Sequence, residues 1–325
     1  MIMCVDVSVI IPTYNVEKYV EYCLDSVLKQ SLKTIEIIVI DDMSTDTTVD
    51  IVRRKAKVDS RIRIFSTGEN SGPGVARNIG LEKATGIYCI FMDADDFYYD
   101  SECLSYLVDL SRRHGGVTVC GDKIDFNEKS GQFIPNSTIR EKDVCVHSGE
   151  MTSIFWYTTF LFNRKILVEN AIVFPEVYQF EDPVFLASVL SINQKIFISN
   201  RIIYVYRILH KETKFTPDTI RVMISCNKKI IAFLKKDSRI WESIYLSLLR
   251  LASKAIFSGT MQERKENLAE INLLFQMFPQ QYSCSYSPMH VVGLALLVAL
   301  SDVFVKILPG KYKKILKNIY LLLRK

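Results

Sequence analysis

The chain has no CxxC pair, no cysteine–histidine cluster, no GxxxxGK[ST] loop and no GxGxxG turn. The first two absences argue against a structural zinc site. The last two remove a P-loop and a dinucleotide fingerprint. Asp93-Ala94-Asp95-Asp96-Phe97 also lacks the glycine and spaced oxygens of an EF-hand, which removes a calcium sensor. No stretch has a disordered composition, since 49% of the residues are hydrophobic and 24% charged. Net charge is only +5 over 325 residues, so nucleic acid is not an expected partner. Asp6 interrupts any signal-peptide core, and the eight cysteines are scattered singly, several within apolar runs. These features predict a protein of the reducing cytosol whose cysteines are small core residues.

What is present is a rhythm of strand and helix. Four apolar runs, Val7 to Ile11, Ile35 to Ile40, Ile62 to Phe65 and Ile87 to Met92, recur about every 25–28 residues. Between the first two, Val20, Cys23, Leu24, Val27 and Leu28 make one helical stripe. Asn15 is the expected cap of that helix, and Ser44 or Asp46 of the next. Repeated βαβ units with right-handed crossovers predict an α/β fold, a mostly parallel sheet with helices on both faces. Beyond Asp96 the expected elements are a helix from Cys103 to Arg112, a strand from Val117 to Cys120, and a loop or hairpin from Asp122 to Asp143. Then come a helix from Arg164 to Asn170, a helix capped by Asp182, and two strands, Ile196 to Ile198 and Ile202 to Tyr206. From about Thr216 the pattern turns helical, so domains are expected at 1–215 and 216–325, the first with halves of about 1–98 and 99–215.

All four early strands end in polar residues: Pro12-Thr13-Tyr14-Asn15, Asp41-Asp42, the turn from Asn70 to Gly74, and Asp93 to Asp96. Parallel strands bring these ends to one edge, where open α/β sheets bind ligands. Clustered carboxylates need a counter-charge, and Mg²⁺ or Mn²⁺ shared with phosphate oxygens supplies one. Gly72 and Gly74 let backbone approach a ligand, and Arg77 offers a fork to phosphate or to a base. Glu181-Asp182 is a second carboxylate pair at a helix start, where the helix N-terminus favours an ionised Asp182 able to accept a proton.

The ordered motifs resemble glycosyltransferase family 2, inverting enzymes with a GT-A fold. They are VSVIIPTYNxxxYxxxxLxSxxxQ at Val7 to Gln30, IxVxDDxSxDxT at Ile37 to Thr48, NxGxxxARNxG at Asn70 to Gly80, and the DXD-type Asp93-Ala94-Asp95-Asp96. Phe174-Pro175, Phe180-Glu181-Asp182 and Tyr206-Arg207 continue the series. The resemblance implies a nucleotide-sugar donor, UDP-linked, held by Pro12, Thr13, Tyr14, Asn15, Asp41, Asp42, Asn70, Gly74, Arg77, Asp93 and Ala94. It implies Asp95 as metal ligand, Asp182 as general base and Glu181 toward the acceptor, a glycan or lipid-linked glycan. His210 is a further metal candidate, although one extra residue precedes it relative to the family's YRxH pattern.

The alternative is a non-catalytic nucleotide-sugar-binding protein on the same fold, which would have no need of Glu181-Asp182. A phospho-receiver domain is rejected, because its acids follow the first and third strands rather than the second and fourth. The end of the chain, Lys311 to Lys325, sets Tyr312, Ile315, Leu316, Ile319 and Leu323 at helical spacing among lysines and arginines with no acid. It is expected to lie on an anionic membrane surface, making the protein peripheral at the inner face of the cell membrane.

Overall fold

The computed structural model describes residues 5–135, 143–151, 156–192, 195–208, 215–235 and 238–279. The chain divides into two compact units, Met1–Glu212 with Phe233–Ser238, and Thr213–Ala232 with Arg239–Lys325. His210, the apolar stretch Met289 to Leu308 and the basic segment Lys311 to Lys325 lie outside the described residues. Among the described residues no helix is long and apolar enough to cross a membrane.

The first unit opens with β1 (Val7–Thr13), α1 (Val20–Leu28), β2 (Ile35–Asp41), α2 (Thr48–Val58), β3 (Ile62–Ser66), α3 (Pro73–Lys83) and β4 (Tyr88–Phe91). β5 (Phe97–Tyr98), α4 (Cys103–Arg113), β6 (Thr118–Asn127), β7 (Gln132–Ile134), β8 (Val144–His147), β9 (Phe160–Asn163), α5 (Arg164–Glu169), α6 (Glu181–Ser191) and β10 (Lys195–Ile208) follow. The strands form one sheet in the order β3-β2-β1-β4-β9-β6-β10-β5, with β7 beside β6 and β8 beside β10. β1 to β4 are mutually parallel where they pair, and β9 is antiparallel to β4 and β6. The expected α/β architecture is therefore present, with the ends of β1, β2 and β4 on one edge.

Strand alternation decides which helix lies where. Val7, Val9 and Ile11 of β1 pack with Val20, Cys23, Leu24 and Val27 of α1 and with Leu104, Leu107 and Val108 of α4. Ile10 points to the other face, where a Cβ on Gly80 of α3 would collide with it. A glycine there lets α3 lie against the sheet, and so fixes where its first turn meets the ligand edge. Five of the described cysteines, Cys23, Cys89, Cys103, Cys120 and Cys226, are buried, as small core residues should be, while Cys145 is exposed.

Several local expectations need correction. Asn15 does not cap α1. It sits at φ 50° and its Oδ1 accepts from the Thr45 amide at 2.8 Å, so it ties the end of β1 to the end of β2. α2 is preceded by Thr47; Asp46 accepts from the Thr48 amide at 2.9 Å, and Ser44 instead receives the Asn15 amide at 3.1 Å. β6 runs seven residues past its expected end, into the segment expected as a loop or hairpin, which does form a hairpin with β7. The two expected late strands are a single β10, irregular between Ile198 and Ile202 but paired with β6 on both sides. Asp182 is inside α6, whose cap position is Phe180 at φ 68°.

The second unit holds α7 (Pro217–Phe233), α8 (Ile240–Ala255) and α9 (Met261–Gln276). α9 starts with a reciprocal capping box, the Thr260 hydroxyl accepting from the Glu263 amide while Glu263 takes the Thr260 amide.

Candidate active site

The candidate site has two ends, one at the ends of β1 and β2 and one between β4 and α6, and the sheet builds them differently. At the first, Thr13 donates to Asp41 at 3.5 Å, while Tyr14, Asn15 and Asn70 are exposed. Asp42 is buried and fully engaged: its carboxylate accepts from the Ser71 and Gly72 amides, both at 2.8 Å, and from the Thr67 hydroxyl at 2.9 Å. It shapes the glycine turn and is not presented as a bare ligand group. Pro12 lies in β1 beside Ile40 of β2. Gly74 is needed for a close approach, because a Cβ there would stand 2.6 Å from the Pro175 carbonyl oxygen.

That approach begins a seam between α3 and the segment before α6. Asn78 donates to the Phe174 carbonyl at 2.9 Å and accepts the Phe174 amide at 2.8 Å. The Tyr178 hydroxyl reaches the Asn70 carbonyl at 2.9 Å. Beneath the seam Phe174 and Phe185 stack at 3.9 Å, with Phe91, Phe162 and Tyr157 around them. This aromatic floor holds the start of α6 opposite the end of β4.

Arg77 joins the two ends, though not in the expected way. The residue is 5% exposed, and its guanidinium donates to Glu181 at 2.7 Å and Asp93 at 2.8 Å and lies over the rings of Tyr157 and Phe174. The fork proposed for a nucleotide is therefore occupied by two carboxylates, and its Nε is buried without a partner. Asp93 also accepts from the Tyr157 hydroxyl at 3.0 Å. Glu181 is buried with the same cation rather than turned outward to an acceptor.

Arg77, Asp93, Trp156, Tyr157, Thr158, Glu181, Asp182 and Tyr206 line a cavity of about 270 Å³. Burial and the neighbouring Glu181 charge push the Asp182 carboxyl up to about 7, against the pull of Arg77. The expectation that a helix N-terminus keeps Asp182 ionised is thus outweighed by desolvation. The same shift suits a proton acceptor working near neutrality.

The Asp93–Asp96 turn divides its carboxylates. Asp96 is buried, accepts from the Tyr204 hydroxyl and the Arg207 amide, both at 2.7 Å, and is held toward its neutral form by burial and by Asp93 and Asp95. Asp95 is partly exposed, and its carbonyl accepts from Arg207 at 2.8 Å; Ala94, between Asp93 and Asp95 in the chain, is buried. Among the described residues no group of three or more acids, histidines or cysteines is placed to hold a metal. The donor set fits an ion that arrives with phosphate oxygens, since Mg²⁺-like ions need only one or two carboxylates there.

No sequence motif marks Trp156, which lines the cavity. The signal for Trp156 was its rarity, one of two tryptophans in the chain.

A family model described as glycosyl transferase family 2 matches residues 8–176, more than half of the chain. The chain belongs to that family. Among its relatives is an uncharacterized glycosyltransferase of Haemophilus influenzae, 41% identical over 119 residues, 35% of this chain and 48% of that one. A poly(ribitol-phosphate) beta-glucosyltransferase of Bacillus spizizenii is 33% identical over 205 residues, 62% of this chain and 32% of that one. The chain thus spans less than half the length of either family member. In fold it is similar to TarS 1-349 of S. aureus in complex with UDP, with a TM-score of 0.73, 23% identity and 91% of each chain covered.

Proposed function

We propose that this family 2 chain is an inverting glycosyltransferase, moving a sugar from a UDP-linked donor to a hydroxyl of a glycan or lipid-linked glycan. The carrying observation is Asp182, a carboxylate with its pKa near neutrality, set in a cavity across from the end of β4. The complex of the S. aureus neighbour with UDP supports the choice of donor.

The chemistry follows from what each side chain can do. Tyr14, Asn15 and Asp41 flank the base and ribose at the open end of the sheet edge. Asp42 holds the glycine turn in the shape that admits them. Asp93, fixed by Arg77 and Tyr157, faces the donor sugar. The acceptor oxygen attacks the anomeric carbon as the bond from that carbon to the diphosphate oxygen breaks, and the acceptor's proton passes to Asp182. Attack from the side opposite the leaving group inverts the configuration. A divalent ion brought by the diphosphate would be held by Asp95 and would neutralise charge on the departing phosphate. Base catalysis by Asp182 is worth about 10²–10⁴-fold.

The test is nucleoside diphosphate release from a panel of nucleotide sugars with Mn²⁺. Release from a UDP-sugar is expected, reduced about 10²–10⁴-fold in Asp182→Asn while UDP affinity changes little. No release from any donor, or a variant as active as wild type, refutes the reading. Membrane attachment through Lys311 to Lys325 belongs to the same proposal, and deletion of that segment should move the protein from the membrane to the soluble fraction.

A further inference from the structure

At the mouth of the cavity Trp156 is 41% exposed and Tyr206 37%. Their ring centroids are 5.5 Å apart and the planes meet at 69°, so together they form an angled aromatic wall beside Asp182. An indole of this size left open to water beside a polar cavity is informative, because exposed single aromatics elsewhere on a surface need no partner.

The wall is also pinned. Lys123, on β6, is 2% exposed and places its ammonium 3.6 Å from the centroid of the Trp156 ring and 5.1 Å from that of Tyr206. Asp125, two residues along the same strand, pairs with that ammonium. A buried ammonium is costly unless charge and ring faces compensate it, so the cation, its acid and the two rings hold one another in place. The Trp156 backbone stands in the left-handed region at φ 71°, which a bulky residue rarely adopts. Backbone of that kind persists where the surroundings over-determine it and gathers at binding sites.

We propose that the Trp156–Tyr206 wall is the acceptor subsite and that its ligand is a neutral pyranose ring rather than a polyol phosphate. This rests on the transferase reading above. The C–H face of a pyranose carries slight positive charge and is apolar, matching the negative face of an aromatic ring, while its hydroxyls point outward toward acids such as Asp182. The cavity, about 270 Å³, is at the small end of ligand sites, and Trp156 and Tyr206 line it together with Asp182. Charge decides against a phosphodiester. Among the described residues the lining contains Asp93, Glu181 and Asp182 with Arg77 as its one cation, already paired twice, and Lys123 is neutralised by Asp125. A phosphate drawn into that lining would meet like charge and, among the described residues, no open cation. In this respect the subsite departs from the polymer named for the Bacillus spizizenii relative.

The probe is the fluorescence of Trp156 itself. Trp241, the other tryptophan, is buried in the second unit. In a Trp241→Phe background, Trp156 emission is followed while methyl pyranosides, ribitol or ribitol 5-phosphate are titrated. Saturable change with a methyl pyranoside and none with ribitol or its phosphate is expected. Trp156→Ala should raise the acceptor KM roughly tenfold, the scale at which a lost stacking ring is felt, and Trp156→Phe should restore most of it. The KM for the donor should stay unchanged in both. Equal response to ribitol phosphate, no response to any pyranoside, or a Trp156→Ala effect confined to the donor overturns the proposal. If wild-type protein releases UDP from no donor, the transferase reading fails, and the fluorescence titration still decides whether the wall binds a sugar ring.

Discussion

Asp182→Asn should inactivate the protein and stabilise it. The two effects come from one cause. Burial and Glu181 lift the Asp182 carboxyl from an ordinary 3.8 to about 7, so the native state resists ionising it. The unfolded chain ionises the same group near 3.8. As pH rises from about 4 to 7 the unfolded state releases its proton first, and native stability falls by roughly 4 kcal/mol, at 1.36 kcal/mol per pH unit of difference. Above pH 7 the loss is complete. Asn keeps the shape and does not ionise. The variant should therefore match wild type below about pH 4 and gain up to roughly 4 kcal/mol over it at pH 8. Urea unfolding of both proteins at several pH values, followed through fluorescence, measures the difference. In parallel, wild-type turnover should rise with pH along a limb centred near 7, because the base must be deprotonated, and the residual activity of the variant should lack that limb. A stability difference that does not change between pH 4 and 8, or a variant less stable at pH 8, would show that Asp182 is not the strained group described here.

Two further outcomes follow from the charge layout. Arg77→Met leaves Asp93 and Glu181 without their buried counter-ion and should destabilise the protein by about 3–5 kcal/mol. It should also move the acid limb of turnover to higher pH, since Arg77 is what restrains the Asp182 shift, with UDP affinity nearly unchanged; a large loss of UDP affinity by calorimetry would return Arg77 to the nucleotide. At the far end of the sheet, burial would raise Glu36, but hydrogen bonds from Ser8, Thr85 and Arg63 bring it below its usual value. Its stabilisation is present above pH 4.5 and is lost as pH falls through the lowered native value, so acid unfolding of Glu36→Gln should lack that step.

The edge formed by β1 to β4 was legible because strands covered on both faces read as unbroken apolar runs, and because four of them end in polar residues at a regular spacing. The catalytic end was legible as residues but not as chemistry. Glu181 and Asp182 stand out in the sequence, yet their placement depends on an arginine 104 positions before Glu181 and on a phenylalanine floor drawn from β4, β9, α6 and the segment before it. Local rules misjudged the same places. Asn15, Trp156 and Phe180 all stand at positive φ, where propensity rules expect glycine, and each sits where two distant segments must meet. Ser199-Asn200-Arg201 looks like a strand break in sequence, but Asp143 accepts from the Ser199 hydroxyl and the Asn200 amide, and β10 continues through.

Arg77 explains why the two ends behave as one site. Three carboxylates line the cavity with one arginine. That arginine binds Asp93 at the end of β4 and Glu181 at the start of α6, and it makes no hydrogen bond to Asp182. Two acids are thereby neutralised and held rigid, and the third is left with only a distant share of the cation. Had Arg77 paired with Asp182, that carboxylate would have been locked ionised and made a poor proton acceptor at neutral pH. Had it turned to a ligand, Asp93 and Glu181 would repel each other and the floor could not close. The same contact that sets the distance between the sheet edge and α6 thus selects which of the three acids is able to take a proton.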